Sequence, residues 1–307
     1  MRGAITYLLS SIGTFILTVA CSTEPANIDV DSVRYAPVVT LLGTHSAEGL
    51  TNLYPEDTPF IVWVGALDQN QSWASDAENS TCFIDSEQVI WNGKEWNTSI
   101  NHQWPIDKSL SLMAYSPADI TATFSVQYGI QFNNIDVLNQ GRDMLMFANP
   151  VSNQFYNFNQ GVIPIPFIHA FAQVSFSVIP HVPSDVEVVV KEISLSNIQH
   201  SGSFCSLPEA SWKPTGETCK MIFFDGEERI ESSNYKLIGT TEWVLPQSVI
   251  ARVKVVCDFH AHGTVIPDQV FEVDESMLWE VGKSYAYTIK INMDGISFLH
   301  DVIADEF

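Results

Sequence analysis

The segment from Asp258 to His262, DFHAH, carries the residue types that most directly suggest metal chemistry in this chain. If it forms a β-strand, Asp258, His260 and His262 project from one face, because strand side chains alternate. Two imidazoles and a carboxylate are ligands that zinc accepts, although one strand alone supplies a poor tetrahedral shell. The alternative is a solvent-facing polar row on an edge strand. We favour the polar row and predict neither a metal nor another cofactor.

The sequence patterns of the common catalytic sites are absent from this chain. It contains no GxSxG, HExxH or GxGxxG sequence. The run GKS at 282–284 resembles the end of a phosphate-binding loop, but Met277 stands where such a loop requires glycine. Adjacent carboxylates such as Glu227 and Glu228 fit solvated charge in a turn better than an acid/base pair. The sequence therefore predicts a protein that is not an enzyme.

Cysteine chemistry offers one candidate cross-link. Apart from Cys21, the chain has Cys82, Cys205, Cys219 and Cys257. Four cysteines permit two disulfides in three connectivities. Cys205 and Cys219 bracket a segment that contains Gly and Pro, so they are the candidate local disulfide. The alternative is four separate buried thiols.

The tryptophans raise a question of sugar binding, because aromatic faces stack on glycans. Trp91 and Trp96 flank an Asn-Gly turn in the run WNGKEW, which predicts a hairpin with cross-strand aromatic packing. The segment from Trp91 to Trp104 is an alternative glycan-binding tip. Packing is the favoured interpretation, since most tryptophans are largely buried.

Charge and the N-terminus indicate the compartment. The chain has 36 acidic and 14 basic side chains, for a net charge of −22, which makes a nucleic-acid partner unfavourable. Arg2 precedes an apolar run from Ile5 to Val19, and Ala20-Cys21 follows. A small residue before cysteine predicts a lipoprotein signal peptide over 1–21, with Cys21 lipidated and the protein anchored to a membrane. The alternatives are an ordinary secretory signal or an uncleaved anchor.

The remaining sequence predicts an all-β fold. Residues 22–34 are polar and form a tether or propeptide. From Tyr35 onward, short Val-, Ile-, Phe- and Tyr-rich runs alternate with turn residues, as in AQVSFSV, 172–178. This spacing predicts two consecutive antiparallel β-sandwiches over 35–165 and 166–307, joined by the polar stretch 149–161. The run ESMLWEVG, 275–282, is a candidate short helix.

Several segments resemble the fimbrillin family, the type V pilus subunits of anaerobic Gram-negative gut and oral bacteria. The motifs follow one another along nearly the whole mature chain. They are the lipobox cysteine Cys21, AYSP (114–117), DMLMFANP (143–150), IPFIHAFAQVSFSV (165–178), WVLPQ (243–247) and WEVGKSYAYTIKI (279–291). This resemblance implies two transthyretin-like, Greek-key β-sandwiches and a structural, adhesive role without catalysis.

The resemblance also implies how such a protein assembles. Family precursors reach the outer membrane as lipoproteins, and a trypsin-like protease then removes a first strand by cutting after an arginine. The vacated groove accepts a strand from another subunit. Arg34, at the junction of tether and first strand, is the candidate processing site, which we expect to be exposed and extended. Residues 295–307 are the candidate donor strand.

The resemblance therefore implies a set of partners and a location. The partners are other fimbrillin-like subunits, the outer membrane through lipid, and a host or bacterial surface receptor, with no nucleic acid among them. The location is the outer membrane, cell surface or pilus. The alternative is a surface lipoprotein that does not polymerise and binds glycan or protein through exposed loops.

Overall fold

The computed structural model describes residues 33–39, 52–105, 107–138, 145–150, 154–155, 160–230 and 236–306. Within these ranges helix is limited to α1 (Trp73–Asp76) and a single 3₁₀ turn, Ala77–Asn79. The strands are β1 (Arg34–Val39), β2 (Asn52–Leu53), β3 (Phe60–Asp68), β4 (Thr81–Trp91), β5 (Trp96–Thr98), β6 (Lys108–Ser116), β7 (Ala122–Ser125), β8 (Gly129–Asp136), β9 (Met146–Ala148), β10 (Val162–His169), β11 (Ala172–Pro180), β12 (Val186–Cys205), β13 (Ser211–Ile230), β14 (Lys236–Val244), β15 (Ser248–Ala261), β16 (Thr264–Leu278), β17 (Lys283–Asn292) and β18 (Gly295–Glu306).

The all-β prediction is confirmed, and side-chain alternation explains it. In β11, Val174, Phe176 and Val178 are fully buried, whereas the serines between them are partly exposed. The same alternation overrides the helix predicted over 275–282, which is wrong. Met277 points into the core as part of β16, and Trp279 is buried directly after that strand. Among the described residues, no helix has the length and apolar character needed to cross a membrane.

Seven strands of the first half close into a ring instead of forming an open sandwich. Their order is β10-β9-β6-β3-β4-β5-β1, and β1 pairs again with β10 to complete the circle. The β1–β10 ladder is parallel, and it runs from the pair Arg34–Val162 to the pair Val39–Phe167. The other ladders of the ring are antiparallel. Large apolar side chains fill the ring, among them Phe60.

The strands of the second half form two sheets that share one apolar core, and β7 and β8 of the first half extend one of these sheets. One sheet has the order β14-β11-β17-β18, and the other has the order β16-β15-β12-β8-β7, with β13 paired to β12. Phe176 of the first sheet meets Phe223 of the second edge to face, with ring centroids 4.8 Å apart. The indole Nε1 of Trp279 donates a hydrogen bond of 3.0 Å to the Tyr287 hydroxyl. The two sheets therefore face each other across this core.

The expected boundary between residues 165 and 166 falls inside β10. The turn after β10 is the nearest place where one sheet ends and another begins. Contacts also cross this point, because β8 pairs with β12. Phe204 of β12 lies between Phe132 and Phe147, with ring centroids 5.5 and 4.9 Å away. The two halves thus share an apolar cluster and a sheet.

The solvent side of the larger sheet carries an ion-pair network centred on Glu192. Its carboxylate lies 2.6 Å from Lys220 Nζ and 3.3 Å from Lys254 Nζ. The Ser194 hydroxyl donates a further hydrogen bond of 2.7 Å to it. The bond from Lys220, followed by those from Ser194 and Lys254, lowers the pKa of Glu192 to about 2. The charged carboxylate therefore stabilises the folded sheet.

We predict that Glu192→Gln lowers the free energy of unfolding by about 1–2 kcal/mol at pH 7. Because the folded pKa is depressed, this contribution is fully present above the ordinary value of 4.5 and is lost as the pH falls toward 2. Urea unfolding of both proteins between pH 7 and pH 2 measures the difference. Glu217→Gln controls for loss of one exposed charge on β13, and a Glu192→Gln deficit that persists at pH 2 would contradict the prediction.

Candidate functional site

The start of β1 is held at four points by the rest of the chain. The Val33 backbone N–H donates to the His102 carbonyl, and the Arg34 N–H donates to the Gly161 carbonyl, both at 2.8 Å. The Arg34 guanidinium donates from Nη2 to the Gln160 carbonyl at 2.7 Å. Its Nη1 lies 3.8 Å from a Glu95 carboxylate oxygen. Main chain and side chain of Arg34 are therefore both engaged by the ring.

Tyr35, the residue after Arg34, points into the ring. It lies between Trp96 on β5 and Ile163 on β10, and only 4% of it is exposed. Burial, together with the nearby charge of Glu87, raises the pKa of the Tyr35 hydroxyl well above its usual range. The ring of Tyr35 meets Phe60 edge to face at 6.5 Å. Burial of this side chain anchors β1 in the closed ring.

An aromatic cluster lies beneath β1. Tyr54 stacks on Phe167 with ring centroids 5.0 Å apart and meets Trp96 at 5.4 Å. Phe60 contacts both Phe167 at 5.4 Å and Trp96 at 5.3 Å. Such pairs add to the free energy of area burial. Loss of β1 would remove Tyr35 from its place against Phe60 and open this end of the apolar core to water.

The structure places Arg34 differently from the exposed junction that we expected. The residue is extended, as predicted, but it is the first residue of β1, and its side chain is only 20% exposed. A cut after Arg34 would leave Tyr35–Val39 attached to the ring. A protease needs an unpaired extended segment, so β1 would have to leave the ring before cleavage. Processing at Arg34 stays a prediction.

The candidate donor segment, 295–307, pairs within its own chain. Residues Gly295–Glu306 form β18, which runs antiparallel to β17 at one edge of the four-stranded sheet. Ile296 and Phe298 pack against the shared core of the two sheets. The far side of β18 has no partner strand within the described sheet order. Donation to another subunit stays a prediction.

The predicted disulfide between Cys205 and Cys219 is wrong. Cys82, Cys205, Cys219 and Cys257 are all free thiols. In the β12–β13 ladder, Cys205 lies opposite Ser211, whereas Cys219 lies opposite Ile198. The two cysteines are thus about 20 Å apart along the hairpin, and a disulfide requires Cα atoms within about 7 Å. Only Cys257 is buried among the four, and desolvation raises its pKa to about 12.

The structure does not gather Asp258, His260 and His262 as a metal site. Asp258 accepts the Asp268 backbone N–H at 2.7 Å and lies 3.1 Å from Lys191 Nζ. His262 lies in the turn after β15, with a φ of +49°, and its Nε2 lies 2.9 Å from a carboxylate oxygen of Asp185 instead. Across the described ranges, no three His, Cys, Asp or Glu side chains are grouped closely enough to hold a metal ion.

The predicted tryptophan hairpin is confirmed. Trp91 of β4 lies opposite Trp96 of β5, and the ring centroids are 5.6 Å apart. In the turn, the Asn92 side-chain oxygen accepts the Lys94 backbone N–H at 2.9 Å. Trp96 and Trp104 are 6% and 5% exposed, so neither presents a face for stacking on sugar. Of these three tryptophans, only Trp91 is partly exposed.

Cys21 and residues 22–32 lie outside the described residues, so lipidation and the tether stay predictions.

A contact that was not predicted from the sequence lies near Val33. His102 Nε2 is 2.9 Å from the Glu87 carboxylate. This pair joins β4 to the segment whose carbonyl accepts the Val33 N–H. No local pattern marks it, since the two residues meet only when the ring forms.

We predict that Ile163→Ala accelerates trypsin cleavage after Arg34 at least about tenfold. Ile163 is fully buried beside Tyr35, so its truncation lowers the free energy that keeps β1 in the ring. The rate is measured as the appearance of fragments that begin at Tyr35, by mass spectrometry.

Ile230→Ala is the matched control, because it removes the same atoms from the other core, where Ile230 is 2% exposed. Equal cleavage rates in the two variants would show that the ring does not protect this bond. A faster rate in Ile163→Ala alone is the expected outcome.

The chain is similar to known fimbrial and cell adhesion proteins. A family model described as fimbrillin-like matches residues 62–305. A fimbrial protein from Bacteroides vulgatus has the same overall fold, with a TM-score of 0.63 and 16% identity over 90% of this chain and 99% of that one. A candidate cell adhesion protein from Bacteroides ovatus has a TM-score of 0.54 and 12% identity over 90% and 97% of the two chains. None of the curated protein sequences compared with this chain matches it.

Proposed function

Because the chain belongs to the fimbrillin-like family, we propose that it is a structural and adhesive subunit of a bacterial surface pilus. The observation that carries this proposal is the family match over residues 62–305, which covers the ring strands from Val62 onward, but not β1, and the paired sheets up to Asp305. The family is one of structural fimbrial and adhesion proteins, not of enzymes. We also propose that the two halves of the chain are transthyretin-like, Greek-key domains.

Export as a lipoprotein is the second part of the proposal. Cleavage before Cys21 would leave that cysteine lipidated, and the lipid would hold the subunit at the outer membrane. The net charge of −22 supports a lipid anchor, since anionic membrane surfaces repel such a chain. The lipid would thus hold the protein at a membrane whose surface charge repels it.

Assembly by strand complementation is the third part. A cut after Arg34 keeps Tyr35–Val39 on the mature chain, so the acceptor groove would form when these residues leave the ring and expose unpaired backbone groups on β5 and β10. Their departure would also uncover the aromatic cluster under Tyr35. Unpaired strand edges beside bare apolar surface are a template for an added strand. The segment 295–307 of another subunit is the proposed donor, with processing after Arg34.

One observation favours a second candidate function. Both β1 and β18 are paired within the described chain, so the ring and the four-stranded sheet need no strand from outside. A surface lipoprotein that does not polymerise and binds glycan or protein through exposed loops fits this closed arrangement. Such a protein would keep its lipid, and its chain would stay uncut after Arg34.

Determining the native N-terminus separates the two functions. We predict that mass spectrometry of cell-envelope material finds a chain starting at Tyr35, because processing at Arg34 accompanies assembly. In Arg34→Ala the chain should instead start at acylated Cys21, and polymer should be lost from electron micrographs.

Arg229→Ala is the control, since it removes another ion-paired arginine, an exposed one that lies on β13. Normal polymer in Arg34→Ala, or a native chain that keeps acylated Cys21, would sink the processing proposal and favour the non-polymerising lipoprotein.

A further inference from the structure

Four exposed aliphatic side chains lie on the solvent side of the larger sheet. Ile222, Ile250, Val270 and Leu278 are 48%, 61%, 54% and 58% exposed. We call the solvent side of β12, β13, β15 and β16 that carries them the outer face. Ile250 and Leu278 lie diagonally across the β15–β16 pair, and charged side chains separate them from Val270 and Ile222, so the face is a mixed one and not a single apolar patch.

Strand register places these side chains on one side of the sheet. In the β15–β16 ladder, Ile250 lies opposite Ser276, which is two residues from Leu278. Further along the same ladder, Lys254 lies opposite Glu272, which is two residues from Val270. Residues opposite each other, and residues two apart on a strand, share a face.

Ile222 belongs to the same face through the central strand. Ser194 of β12 lies opposite Ile222 on one side and opposite Lys254 on the other. The row from Ile222 to Glu272 therefore crosses all four strands. Ser194 is only 1% exposed in the middle of this row, whereas Ile222 at its end stays 48% exposed.

The charges of the outer face nearly cancel, unlike those of the whole chain. Between the rows of Ile250 and Val270, its cations are Lys220, Arg252 and Lys254, and its anions are Glu192, Glu272, Asp274 and, at the border, Asp225. Further along the same side, Glu187 pairs with Arg229, and Lys191 pairs with Asp258 and Asp268. Arg252 and Asp274 form a bidentate ion pair. Arg252 Nε lies 2.8 Å from Asp274 Oδ1, and Arg252 Nη2 lies 3.2 Å from Asp274 Oδ2. The net charge of −22 is therefore carried almost entirely by other surfaces.

A hollow lies beside Ile250 on the outer face. It has a volume of about 310 Å³ and is lined by Ser196, Asn197, Ile250, Arg252 and Asp274. Asn197 shapes its wall, because its side-chain amide donates to the Ile250 carbonyl at 2.7 Å. The hollow is large enough to receive an aliphatic side chain from a facing surface.

We propose that the outer face is a weak contact between two copies of this chain. Two molecules this acidic repel each other at most approaches, and the near-neutral outer face is where that repulsion is smallest. A two-fold axis along the strands would set β13 of one copy over β16 of the other. Lys220 would then face Asp274 of the second copy, Ile222 would lie over the Glu272 side chain of that copy, and the exposed aliphatic side chains would be shielded from water.

The size of the face sets the strength of this contact. Four strands at about 4.8 Å spacing, over about eight residues of strand, cover roughly 500 Å² for each copy. The contact would bury roughly 1,000 Å² in total, at the lower limit for a specific interface. The dimer is therefore weak and forms at high protein concentration. It differs from strand complementation, because it closes at two copies and uses neither β1 nor Arg34.

Sedimentation velocity of the purified full chain, from about 10 to 500 μM, tests the proposal. We expect a monomer–dimer equilibrium within that range. Ile250→Glu should raise the dissociation constant at least about tenfold, because each copy buries a new charge at the contact. Ile100→Glu is the matched control, since Ile100 is 60% exposed on the ring side and should leave the equilibrium unchanged.

Two outcomes would overturn the proposal. One is a wild-type chain that stays monomeric throughout this range. The other is an equal effect of the two variants, which would place any contact elsewhere. Salt gives an independent readout: screening the repulsion between two chains of net charge −22 should strengthen the dimer, and weakening by salt would also contradict this face as the contact.

Discussion

The parallel ladder between β1 and β10 is the contact on which the rest of the structure depends. It joins a strand that begins at Arg34 to one that begins at Val162, and it closes seven strands into a ring. Without it, both neighbours of β1 would become strand edges, and the aromatic cluster under Tyr35 would lose one wall. Chain segments so distant in sequence pair only if the buried side chains outweigh the entropy of loop closure, and Tyr35, Phe60 and Phe167 provide that burial.

The same strand carries the residue at which we propose processing, so closure and cleavage compete for β1. In the closed ring, Arg34 is hydrogen-bonded through its main chain and its guanidinium, and the following residue is buried. Opening of β1 must therefore precede a cut, and the free energy of that opening sets how readily a subunit is converted. The other end of the chain is less constrained, because β18 has a neighbour on one side only. The fold thus pairs β1 on both sides within the ring, whereas β18 lies at the edge of its sheet.

Local patterns predicted what depends on neighbouring residues, and they failed where distant segments meet. Alternation identified β11, and the Asn-Gly turn identified the Trp91–Trp96 hairpin, because both signals are local. Ring closure was missed, since nothing in the sequence of β1 names β10 as its partner. The Cys205–Cys219 disulfide failed because separation in sequence says nothing about register inside a long hairpin. The expectation that Asp258, His260 and His262 share one strand face failed at His262, where the strand has ended and a turn begins.

Hydrogen exchange of the backbone amides in β1 tests the closed ring most directly. If β1 is the seventh strand, its amides should exchange nearly as slowly as those of β10, because both belong to one cooperative ladder. Pro37 has no amide proton, so the remaining residues of Arg34–Val39 report this protection. Exchange of β1 at the rate of an unstructured chain, with β10 still protected, would contradict the account and show that the ring is open in solution.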